Sequence, residues 1–188
     1  MYKLLRAFEN IFRGNVYRHR SSTIGDSVAA YLYEDLFALG QSTKFTARVR
    51  HREVAVNTGN QIKGQRGRRG DGTFGRVVPG QSFSSEGGFA VTRGLVAHLQ
   101  IGAEVKIGAT KLIAQVDRVI NDLSKQARIF ESHNPNAIRV GFVGVNFAQT
   151  YTGHEGDRQY VAKTPQSVKH RSLQGELIKL LDLYLTSY

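Results

Sequence analysis

Apolar and polar positions alternate most regularly over residues 96–107, VAHLQIGAEVKI. Leu95, Ala97, Leu99, Ile101, Ala103, Val105 and Ile107 are apolar, and His98, Gln100, Gly102, Glu104 and Lys106 fall between them. Successive strand side chains point to opposite faces. The pattern therefore predicts a strand with one core face and one polar face. Glu104 and Lys106 share the polar face, with Cα atoms about 6.5–7 Å apart by strand rise.

Other segments follow a helical period. Leu4, Leu5, Phe8, Ile11 and Phe12 recur at helical spacing and predict a short helix over 2–13 that packs on the body. Ser22 or Thr23 as cap, Gly40 as stop and the stripe Val28, Leu32, Leu36 and Leu39 predict a second helix, with Glu34 off the stripe. Leu112, Val116, Val119, Ile120, Leu123, Ala127 and Phe130 predict a long amphipathic helix, with Lys111, Gln115, Arg118 and Asp122 on another face. Leu173, Leu177, Leu180, Leu181 and Leu185 predict a closing helix over 173–186.

The loose alternation of KFTARVRHREVAV favours a strand. Residues 59–88, rich in glycine, read as loop with a short strand at 76–78. AIRVGFVGVNFA, short and nearly all apolar, reads as a strand buried on both faces. Residues 149–171 read as a polar loop. No break calls for a second domain, so residues 1–188 are read as one α/β domain, a sheet covered by helices.

Composition narrows the function classes. The formal net charge is +11 and the sequence pI about 10.1, which points to a polyanionic partner, nucleic acid before acidic membrane. The chain has no cysteine, which excludes disulfides and thiolate metal sites. No apolar run approaches the roughly 20 residues of a membrane helix, and no signal-peptide core is present, so a cytoplasmic location is expected. The six histidines (19, 51, 98, 133, 154, 170) show no metal-ligand spacing.

The stretch GQRGRRGDGTFGR, residues 64–76, contains a formal G-x-G-x-x-G and a formal Arg-Gly-Asp. A phosphate-binding glycine motif needs a strand before it and a helix after it. Here Arg76, Val77, Val78, Pro79 and Gly80 follow, which is no helix start. Between residues 48 and 76 eight Lys or Arg stand against Glu53 and Asp71, a composition that attracts phosphates. Arg66, Arg68, Arg69 and Arg76 are the candidate backbone contacts.

Hydrolysis of a phosphodiester calls for a metal ion that polarises the phosphoryl oxygen and lowers the pKa of a bound water. Mg²⁺ takes one or two carboxylates plus waters and substrate oxygens. Asp71 and Glu104 are the candidate carboxylates, the carbonyl of Val105 a third oxygen, and Lys106 a group to hold the nucleophile or offset developing charge.

Asp71 followed 33 residues later by Glu104-Val105-Lys106 resembles the PD-(D/E)xK nuclease superfamily, which includes many type II restriction endonucleases. The likeness spans roughly residues 22–147. It implies a restriction-endonuclease-like αβββαβ core, a mixed central sheet flanked by helices, with the helices over 2–13 and 173–186 appended. It further implies Mg²⁺, with Mn²⁺ as an alternative, held by Asp71, Glu104 and Val105, and catalysis by Asp71, Glu104 and Lys106. Glu34 or Asp35 would be the acid on the helix before the core. The partner would be DNA, with RNA the other nucleic-acid candidate, and the enzyme a homodimer of restriction or defence type. The family's first acid usually follows proline, whereas Gly70 precedes Asp71. The rival reading is a non-catalytic basic nucleic-acid-binding or assembly protein, which the charge alone would explain.

Overall fold

The computed structural model describes residues 2–12, 17–18, 23–62, 65–66, 71–108, 116–145, 152–155 and 158–161. The order is α1 (Lys3–Phe12), β1 (Tyr17–Arg18), α2 (Thr23–Leu39), α3 (Thr43–Arg50), β2 (Val54–Ile62), β3 (Gln65–Arg66), β4 (Gly72–Val77), β5 (Arg93–Gly108), α4 (Val116–His133), β6 (Ile138–Val145), β7 (Thr152–Glu155) and β8 (Arg158–Val161). The main sheet is mixed, in order β3-β2-β4-β5-β6. β2 with β4 and β4 with β5 are antiparallel, while β5 with β6 is parallel. After Val56, β2 also runs parallel to the start of β5. A separate sheet has order β1-β7-β8. The coarse expectation of an α/β fold with a mixed, helix-covered sheet is met. The helix expected over 173–186 lies outside the described residues.

β5 carries the alternation seen in the sequence, but not unbroken. Phe74 pairs with Ile101 and Gly75 with Leu99, so Gln100 is an extra residue; Ala97 is a second one, because Arg76 pairs with His98 and Val77 with Val96. Such bulges bend a strand and shift which face its side chains take. Accordingly Ile101 joins the core of Tyr33, Val49, Val54, Val56, Phe74 and Val91, whereas Leu99 joins Phe130 and Ala137.

Helices cover both faces. In α2 the buried residues are Gly25, Val28, Ala29, Ala30, Tyr33 and Glu34, while Leu36 and Leu39 are exposed, so the buried stripe is rotated from the expected one. Small residues permit the close approach: a Cβ on Gly72 would collide with the Ala29 side chain. Across the sheet, a Cβ on Gly102 would lie 2.6 Å from Phe130 Cγ, and one on Gly141 would lie 3.5 Å from a Leu123 methyl. Thus α4 packs over β5 and β6. From Gly102 onward the even-numbered side of β5 faces α4.

Four further local expectations are corrected. Residues 43–50 form a helix, not a strand: Ser42 caps it by accepting from the Phe45 amide, and Phe45 and Val49, four apart, face the core. The glycine-rich stretch forms a strand over Gly72–Val77, paired with β5, in which Gly75 as well as Gly72 lies where a side chain would strike its neighbour, here the His98 carbonyl. β6 is the edge of its sheet, with Ile138 exposed, rather than buried on both faces. Residues 152–155 and 158–161 pair as antiparallel strands inside the expected loop.

Candidate functional site

The β4–β5 register pairs Gly72 with Ala103. Asp71 immediately precedes β4, at the end that pairs with Ala103, one residue from Glu104. The Asp71 carboxylate lies between β5 and the first turn of α2. Its Oδ2 accepts from the Val105 amide at 2.6 Å, and a Cβ on Gly25 would lie 2.9 Å from its Cγ. Gly25 is therefore a place where the missing side chain makes room for the acid. Tyr33 holds the adjoining backbone: its hydroxyl donates to the Gly72 carbonyl at 2.8 Å, and its ring stacks on Phe74 at 4.8 Å. Burial holds the Tyr33 hydroxyl far above its ordinary pKa.

Glu104 is buried. Its Oε1 accepts from Lys106 Nζ at 2.8 Å, and its Oε2, buried as well, accepts no hydrogen bond from the described residues. An orphaned buried carboxylate oxygen costs free energy unless something satisfies it. Lys106 Nζ also stands 3.8 Å from Asp122 Oδ2 on α4. Asp122, Gln126 and Phe130 are four apart, a row with a step of about 6 Å. That step nearly matches the roughly 6.6 Å between alternate strand residues. With Phe130 over Gly102 and Asp122 at Lys106, the fully buried Gln126 falls level with Glu104.

The pKa of Asp71 is pushed up from 3.8 to about 6. Burial is the main cause; Glu104 and Asp26 add to the rise, and the Val105 amide and Lys106 oppose it. A carboxyl that responds to two other acids and a lysine belongs to a charged cluster of the kind found at functional sites.

Asp71, Glu104, Val105 and Lys106 are thus brought together. Glu34 is not among them. Its carboxylate accepts from the amides of Ala90 at 3.1 Å and Val91 at 2.7 Å and pairs with Lys3 at 3.4 Å, so it anchors the loop before β5. Asp35 accepts from the amides of Lys3 and Leu4 at the start of α1. The acid of α2 that acts on Asp71 is Asp26, about two turns nearer the N-terminus than Glu34. Helical spacing does not single it out, since Glu34 shares the face of Ala30 as Asp26 does. The sequence placed Asp122 on a polar face, but only the packing brings it to Lys106. Tyr33 had no sequence signal.

Of the arginines, Arg76 is exposed near the far end of β4, about 17 Å from Asp71 by strand rise. Arg66 pairs through its backbone with Gln61. Arg68, Arg69, Lys111 and Gln115 lie outside the described residues.

Two carboxylates, one with a buried oxygen that accepts no hydrogen bond among the described residues, are the hard-oxygen type of donor that a small divalent cation takes along with waters. Among the described residues no group of three or more His, Cys, Asp or Glu is arranged to hold a metal ion. No described helix is long and apolar enough to cross a membrane. Compared with family models, with curated proteins and with solved structures, the chain has no match in any of the three.

Proposed function

We propose that the chain is a Mg²⁺-dependent endonuclease that hydrolyses DNA phosphodiester bonds, with the restriction-endonuclease-like αβββαβ arrangement. The observation that carries the reading is the Asp71 carboxylate on the Val105 amide, next to Glu104, with Lys106 on one oxygen of Glu104 and the other oxygen buried and, among the described residues, without a hydrogen bond. The order α2, β2, β4, β5, α4, β6, with two antiparallel pairings followed by a parallel one, is in keeping with it. The net charge of +11 suits a polyanionic substrate.

Asp71, Glu104 and the Val105 carbonyl would hold the cation, which supplies Lewis-acid polarisation of the phosphoryl oxygen and a lowered pKa for water. The rest falls to the chain. The Val105 amide fixes the Asp71 carboxylate by one short hydrogen bond. Glu104 and Asp122 hold the Lys106 ammonium between them, so that it faces the phosphate already oriented. There it donates to the attacking water or to a non-bridging oxygen as negative charge develops. Attack at phosphorus forms one P–O bond and breaks the bond to the leaving oxygen. Cutting both strands of a duplex takes two such sites, so the reading includes a homodimer.

The test is incubation of purified protein with plasmid, linear DNA and RNA, with Mg²⁺ or with excess EDTA, followed by fragment sequencing. Glu104→Ala is expected to abolish cleavage while DNA binding persists. Cleavage that survives in that variant or in EDTA overturns the mechanism. Binding without fragments under every condition would make the chain a non-catalytic basic binder.

A further inference from the structure

α3 ends in an unusual way. The Glu53 amide donates to the Arg48 carbonyl and the Arg52 amide to the Val49 carbonyl, both at 3.0 Å, with His51 as the C-cap. These are the two bonds of a Schellman motif, whose left-handed residue is ordinarily glycine. Here that residue is Arg52, at φ 57°, and no other described non-glycine residue has a positive φ. A side chain in this region strains the backbone. Backbone strain of this kind tends to persist where the side chain has a task.

The surroundings name the task. Val54 pairs with Arg76, and the Glu53 carbonyl accepts from the Val77 amide, so the end of α3 adjoins the end of β4. Arg50, His51, Arg52 and Arg76 are all exposed there. The nearby acid, Glu53, is engaged by Arg48 at 3.4 Å and His51 at 3.8 Å. Arg50, Arg52 and Arg76 therefore outweigh the negative charge of the patch.

We propose that the α3 C-terminal turn, through Arg50 and Arg52 beside Arg76, is a second phosphate-contacting surface for duplex DNA. The surface lies about 17 Å along β4 from Asp71. With one phosphate per roughly 3.4 Å of axis on each strand, that reach corresponds to about five nucleotides from the bond at the carboxylates. DNA as the occupant rests on the reading above and on charge complementarity.

The test is the anisotropy of a labelled 24-base-pair duplex titrated in EDTA over a range of KCl, so the result stands whether or not the chain cleaves. Arg52→Gly is expected to weaken binding about three- to tenfold and to flatten the slope of log K against log salt by about one. Because glycine suits the left-handed position, the same variant is expected to melt no lower than the wild type. Arg50→Ala is expected to flatten the slope without the gain in stability. Arg128→Ala, which removes an exposed charge from α4, is the control and leaves the slope unchanged. An unchanged slope in folded Arg52→Gly and Arg50→Ala overturns the proposal. So does an equal loss in Arg128→Ala.

Discussion

Replacing Asp71 by asparagine is expected to stabilise the metal-free protein, and only at neutral to alkaline pH. The folded carboxyl binds its proton up to about pH 6, against 3.8 for an ordinary one. Protonation therefore favours the folded state. That contribution is complete below about 3.8 and is lost as pH rises through about 6. The rise corresponds to about 3 kcal/mol, taking roughly 1.36 kcal/mol per pH unit. Asp71 is only partly buried, and solvent screening brings the figure to about 1–2 kcal/mol. The asparagine side chain would carry no charge and could still accept from the Val105 amide through its oxygen. Urea unfolding in EDTA at half-unit steps from pH 4 to 8 should show the curves of variant and wild type close together at the acid end. They should separate by about 1–2 kcal/mol by pH 8, with the variant more stable. Parallel curves across that range, or a carbon-detected NMR titration placing Asp71 near 4, would refute the electrostatic reasoning. The same substitution should remove cleavage, so stability and activity would move in opposite directions at one residue.

Two further substitutions separate the fold from the chemistry. Glu34→Gln turns one of its two acceptor oxygens into a donor facing a backbone amide, and should cost about 1–3 kcal/mol in urea unfolding. DNA cleavage per folded molecule should stay within a few-fold of wild type; a null phenotype in folded protein would put Glu34 back at the site. Gly25→Ala should gain up to about 1 kcal/mol of helix propensity. Its methyl, 2.9 Å from Asp71 Cγ, would push the carboxylate aside. Single-turnover cleavage should then fall about tenfold or more with the melting temperature held; full activity would show that the position of Asp71 is not critical.

The pair Glu104 and Lys106 was legible because alternation over a few residues places them on one face whatever happens upstream. The strand as a whole was not, since the bulges at Ala97 and Gln100 leave no mark on an apolar-polar pattern. α3 was misread because Phe45, Ala47 and Val49 satisfy a strand period while Phe45 and Val49 satisfy a helical one. Ser42 was the signal that would have decided between them. Gly72 and Gly75 suggested a loop, yet they mark tight packing, and sequence does not distinguish glycine used for freedom from glycine used for space. Whether Glu34 or Asp35, or instead Asp26, approaches Asp71 depends on which end of α2 meets it. Helical spacing carries no information about that; it depends on the contacts of Gly25 with Asp71 and of Ala29 with Gly72.

Gly102 sits directly under Phe130, two residues from Glu104, and the helix that carries Phe130 also carries Asp122. Any larger residue at 102 acts as a wedge, and α4 is the lever it lifts. The far arm of that lever holds the lysine, so a change in packing at one end of the helix is felt as a change in charge geometry at the other. Variants that lose activity along this row report on how the helix is seated as much as on the groups that do the chemistry.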